Sequence, residues 1–271
     1  MEHIEPRCCF DASEYLAAPD TAPCHVTLDV PEIVRGLDEL YEHGREAEAE
    51  SYLEAWLDRA QKCGDWRAEL TVTSELLGQY RRSANREKGL AAADAALALI
   101  RAHGMGRTVS GATVMLNAAT TLKCFGEAAR SLQIFTHVGR VYSEKLDPAD
   151  YRFAGLYNNM ALSYADVGET ERAIEYFTAA MRIIEHCDAP ENELAVTLCN
   201  MAETYARRDS EDARIGECME RAWEYLNAPN LAHDGYHAFT ISKCAPSFDY
   251  FGYFIYAKVL KERAERIYGL S

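Results

Sequence analysis

From Pro31 onward, apolar residues recur at steps of three and four, glycines fall singly at intervals, and no alternating apolar and polar run lasts more than a few residues. That pattern predicts helices throughout, in pieces of about 13 to 20 residues. The first 30 residues hold three prolines and no sustained period, and read as an irregular lead-in. Pro31 and Pro190 are expected to open helices, as is Asp147-Pro148, with the aspartate as cap and the proline at the first helical position. Gly44, Gly64, Gly104, Gly126 and Gly168 fall where helices should end. Twelve helices in six antiparallel pairs fit between Pro31 and Leu270.

The pieces resemble one another. At an offset of 42 residues, CFGEAARSLQIFTHV from Cys124 aligns with DVGETERAIEYFTAA from Asp166. Gly126 falls on Gly168, Glu127 on Glu169, Arg130 on Arg172, Phe135 on Phe177 and Thr136 on Thr178. The same shift carries Pro148 to Pro190 and Asn117 to Asn159.

The stretch LYNNMALSYADVGETERAIEYFTAA resembles a tetratricopeptide repeat, with Tyr157, Ala161 and Tyr164 at the signature places of the first helix and Ala173, Phe177 and Ala180 at those of the second. The spacing is similar to that of the long-helix subclass found in kinesin light chains and in the peptide-receptor domains of Gram-positive quorum-sensing regulators. The resemblance is strong over Thr113 to Ile184 and fair over Ala195 to Leu226, and it weakens before Ile100 and after Pro229. It implies an all-α fold, a right-handed α-solenoid of about six antiparallel helix pairs with a concave inner surface. The expected organisation is a lead-in over 1–30, repeats over 31–230 and an aromatic-rich capping pair over 231–271.

In such repeats the first helix of each pair lines the concave face. Counting from Tyr157, the resemblance turns Asn158, Asn159 and Leu162 inward, with Asp166 a turn further on. The preceding repeat contributes Leu116, Asn117, Thr120 and Cys124, and the following one Cys199, Asn200 and Glu203; one repeat earlier still, Glu75 stands in the asparagine's place. An amide offers a donor and an acceptor, so Asn117, Asn159 and Asn200 could grip the backbone of an extended peptide whatever its side chains. Capping or crosslinking of neighbouring helices is the alternative use. Arg81, Arg82, Lys123, Arg207 and Arg208 lie near the ends of first helices, where Arg82, Lys123 and Arg207 would read a carboxylate or else complement the helix dipoles.

Charge narrows the partners. Among 271 residues, 43 are acidic and 28 basic, a formal charge of −15 that opposes nucleic acid and anionic lipid. No stretch approaches a spanning helix and the N-terminus has no apolar signal region, so a cytoplasmic location is expected. The nine cysteines are scattered and odd in number, which suits reduced thiols; the adjacent Cys8 and Cys9 are poorly placed to bridge.

The signals for chemistry are sparse. His233, Asp234, His237 and Cys244 are the nearest thing to a metal cluster but lack a second ligand arm, and Cys124 lacks a histidine on its own face. No phosphate-binding, dinucleotide or nucleophile-elbow motif occurs, and no catalysis, metal or cofactor is expected. The leading expectation is a non-catalytic scaffold for a peptide or protein segment. The alternative is a small-molecule or enzymatic pocket inside a closed superhelix, using Asn159, Lys123, Cys124 and the region from His233 to Asp249. The aromatic tail from Phe248 to Tyr256 would cover the end of the solenoid or form a homodimer surface.

Overall fold

The computed structural model describes residues 27–229 and 231–269; Cys8, Cys9 and nearly all of the lead-in lie outside them. Among the described residues there are twelve α-helices and no strand. They are α1 (Val30–Glu42), α2 (Ala49–Cys63), α3 (Trp66–Arg82), α4 (Arg86–Ala102), α5 (Val109–Cys124), α6 (Ala128–Lys145), α7 (Arg152–Asp166), α8 (Thr170–Ile184), α9 (Glu191–Arg208), α10 (Ala213–Leu226), α11 (Gly235–Tyr250) and α12 (Phe254–Ile267). Successive helices form six hairpins. Two compact units share them equally, one ending at Asp147 and the other starting at Pro148.

The hairpin corners repeat in detail. At the ends of α3, α5, α7 and α11 the residue entering the left-handed region is Ala84, Gly126, Gly168 and Gly252, with φ of 51°, 88°, 83° and 85°. Each is followed by a residue whose N–H bonds a carbonyl five positions back: Asn85 to Tyr80, Glu127 to Leu122, Glu169 to Tyr164 and Tyr253 to Phe248, at 2.8 to 2.9 Å. Ser210 holds the corresponding place after α9. There the chain leaves the helix through an extended Asp209, and Asp212 caps α10 by accepting from the Arg214 N–H at 3.0 Å.

Helix starts follow the sequence with one exception. Asp29 caps α1, with Pro31 in the first turn, and Pro190 is the capping residue of α9. Asp147-Pro148 does not open α7, which begins at Arg152. The helix starts from Tyr151 without a side-chain cap; just before it the Asp150 carboxylate accepts from the Arg152 N–H at 3.0 Å and holds the Arg152 guanidinium at 2.7 Å, with Pro148 in the preceding turn.

The signature residues pack as small-and-large pairs. Ala161, Ala173 and Ala180 are fully buried and let α7 and α8 approach, while Phe177 fills the layer between them and their neighbours. Tyr157 and Tyr164 are half-buried against Tyr176, the latter stacked at 5.3 Å. In the other unit Phe135 and Tyr142 are fully buried, and the Tyr142 hydroxyl bonds Thr113 Oγ1 at 3.0 Å.

Candidate functional site

Within each unit the first helices of successive hairpins touch: α3 with α5, α7 with α9, and α9 with α11. α3, α5, α7 and α9 are buried over most of their length, so their polar side chains must find partners inside the protein. A polar seam results in each unit.

In the unit ending at Asp147, Asn117 Nδ2 donates to Ser74 Oγ at 3.1 Å, and Arg81 donates to Thr121 Oγ1 at 2.8 Å. Thr120 is buried and turns its hydroxyl back to the Leu116 carbonyl. Lys123 is 2 % exposed, and its ammonium has no hydrogen-bond partner among the described residues. Arg82 is exposed and bonds the Tyr41 hydroxyl and Gln79 Oε1. Glu75, in the register of the asparagines, has its carboxyl pushed up to about 7 by burial and Asp38, against the pull of Arg82 and Arg81.

In the unit starting at Pro148, Asn158 is 1 % exposed and accepts from Thr197 Oγ1 at 3.2 Å, while its Nδ2 has no partner among the described residues. Asn159 donates back to the Gly155 carbonyl at 3.0 Å, and its Oδ1 is likewise without a partner among the described residues. Asn200 is buried, and its backbone carbonyl accepts from Thr204 Oγ1. Glu203 accepts from Ser247 Oγ at 2.7 Å, tying α9 to α11. Leu162 is fully buried in the core of this unit, and Arg207 is exposed and ion-paired to Asp166 at 2.8 Å.

Ser74 completes the seam of the first unit and Thr197, Asn192 and Ser247 that of the second, and sequence reasoning did not single them out. Their signal is weak: small hydroxyl and amide residues about one repeat away from a polar partner. The His and Cys cluster resolves into separate roles. Asp234 caps α11 by accepting from the His237 N–H, His237 Nδ1 bonds Asn192 Oδ1 at 2.9 Å, and His233 stacks on His237 at 5.0 Å. Cys244 is buried in the core, and Cys124 is exposed. Among the described residues no group of three or more His, Cys, Asp or Glu side chains could hold a metal ion. None of the helices described is long and apolar enough to cross a membrane.

Residues 152–215 match the sequence model of the tetratricopeptide repeat. No curated protein sequence matches the chain. Among solved structures, the kinesin light chain repeats of Podosopora anserina align with a TM-score of 0.54 at 13% identity in one variant, over 73% of this chain and 93% of that one. Their parent structure gives 0.53 at 13% identity, over 73% and 94%. BtubC from P. vanneervenii aligns over 89% of this chain and 90% of its own at 17% identity, with a TM-score of 0.45. The fold is thus an all-α solenoid of the tetratricopeptide kind.

Proposed function

Since the chain carries tetratricopeptide repeats, the architecture of protein-interaction scaffolds, we propose that it is a non-catalytic scaffold that holds an extended peptide or protein segment against its first helices. The observation that carries this reading is the pair of bare polar atoms on α7. Asn158 Nδ2 is a donor and Asn159 Oδ1 an acceptor; both are buried, and neither has a partner among the described residues. A lost hydrogen bond at a buried polar atom costs about 1 to 3 kcal/mol, and the N–H and C=O of a peptide backbone would recover it. By repeat register Asn200 is the counterpart of Asn159 in the next hairpin of the same unit, and would serve the same segment.

Charge selects among peptides. The Lys123 ammonium is buried without a partner among the described residues, which favours a ligand carboxylate there. Arg82, exposed in the same unit as Lys123, adds positive charge nearer the solvent. An acidic segment bound at that unit would meet both cations.

The test is a pull-down from the native lysate with the wild type, the triple variant N117A/N159A/N200A and Asn158→Ala. The triple variant, with unchanged helical content, should recover at least tenfold less of the co-purifying proteins. Equal recovery of the same proteins by the wild type and both variants would overturn the amide-grip reading.

A further inference from the structure

The corner register that relates the hairpins also reveals what is unusual about the last one. Gly252 matches Gly168 at an offset of 84, and α12 starts two residues after its glycine as α8 does. At that offset Phe254, Ile255 and Val259 stand where α8 has Thr170, Glu171 and Glu175, and Tyr250 stands in the place of Asp166. Glu171 and Glu175 are exposed acids. In α12 the places of Glu171 and Glu175 are apolar and still exposed, Ile255 by 77 % and Val259 by 37 %; beside them Phe254, in the place of the buried Thr170, is 66 % exposed, and Tyr250 at the end of α11 is 65 % exposed.

Ile255 and Val259 are not an uncovered core face, since their counterparts Glu171 and Glu175 in α8 are exposed. The α8 residues that enter the core, Phe177 and Met181, correspond to Lys261 and Glu265 in α12, both exposed and charged. Phe254, whose counterpart Thr170 is buried, sits next to Ile255 at the start of the helix. Four such side chains offer an apolar patch on the order of 400 to 500 Å², within the range of functional surfaces.

We propose that this outward face of α12 is the contact through which two copies of the chain associate, a twofold interface centred on Phe254 and Ile255. Two chains of charge −15 repel each other over most of their surfaces. Around this patch the charges are mixed: Lys258 lies 3.7 Å from Glu262 and Lys261 lies 4.0 Å from Asp249, all four exposed. A rim carrying both signs can meet its own copy with each lysine near an acid, as a twofold contact requires. Aromatic and aliphatic side chains at the centre with charges outside are the arrangement of an interface core and rim. The patch is smaller than the roughly 800 Å² per partner of stable dimers, so the association is weak and concentration-dependent.

Sedimentation equilibrium of the full chain, from about 1 µM to about 1 mM, tests this. The wild type should rise from the mass of one chain toward that of two. Ile255→Lys and Phe254→Lys should each weaken association at least tenfold with unchanged helical content and melting temperature, since both side chains are exposed. Charge reversal in Lys258→Glu should weaken it less and make it more salt-dependent. A wild type that stays monomeric throughout, or variants that associate as well as the wild type, would refute the interface. So would a monomer that co-sediments with phosphatidylserine vesicles, because the patch would then belong to a lipid surface.

Discussion

Ala84 and Gly126 hold the same corner of consecutive hairpins, 42 residues apart, and both take left-handed backbone angles, 51° and 88° in φ. Only one of them is suited to it, because a Cβ in this region crowds the carbonyl that follows, at a cost of about 1 to 2 kcal/mol. Ala84→Gly should therefore stabilise the chain by about 0.5 kcal/mol after the extra freedom of glycine in the unfolded state is counted, and Gly126→Ala should destabilise it by about 1 kcal/mol. A Cβ at Gly126 meets nothing within 4 Å, so the second effect is one of backbone alone. Denaturant midpoints of the two variants measure both.

Gly111 is held by contact rather than by angle. A Cβ there would lie 2.1 Å from the Met105 carbonyl oxygen, in the corner where Thr108 caps α5 by accepting from the Gly111 N–H. Backbone cannot step aside as a side chain can, so Gly111→Ala should lower stability by about 2 to 3 kcal/mol. Gly106, whose Cβ would meet nothing, is the control; alanine there should change the unfolding midpoint by no more than about 0.5 kcal/mol.

Glu75 makes stability fall as pH rises. Its folded-state value of about 7 lies above the 4.5 of an ordinary glutamate, so the folded chain favours the protonated form. That contribution is complete below about pH 4.5 and disappears as pH rises through about 7. Glu75→Gln, which places a neutral amide in the register of the asparagines, should match the wild type at pH 4 and exceed it by roughly 2 kcal/mol at pH 8. Equal stabilities at both pH values would contradict this.

His237 acts in the opposite direction. Burial, helped by the positive charges of His233 and Arg263 and opposed by Asp234, lowers its ring to about 4 from the ordinary 6.5. The folded chain then binds fewer protons than the unfolded chain between those values, so stability is full above about 6.5 and is lost as pH falls toward 4. His237→Gln should flatten the stability profile over this window by roughly 2 to 3 kcal/mol, read from denaturant midpoints at pH 4.5 and 7.5.

Most of the scaffold was legible because repeats state the same rule several times. Gly126 and Gly168, and Phe135 and Phe177, each recur with the chemistry that a corner or a core layer requires. Ala84 was not legible as a left-handed corner, since alanine carries no preference for one and the hairpin imposes it. Asp147-Pro148 misled because the chain makes a further turn before the helix, held by the Asp150 carboxylate on Arg152. At the candidate site the shared register of Asn117, Asn159 and Asn200 was readable, but the use of Asn117 and Asn158 as crosslinks depends on Ser74 and Thr197, which only packing brings near.

The repeated corner also has a mechanical meaning. Four of the six hairpins close on their own left-handed residue and their own five-back hydrogen bond, at Asn85, Glu127, Glu169 and Tyr253. A pulling force can then break one closure while leaving the next intact. The chain would lengthen in instalments of one hairpin, each releasing on the order of 15 nm of contour. Such a chain absorbs load stepwise instead of failing all at once.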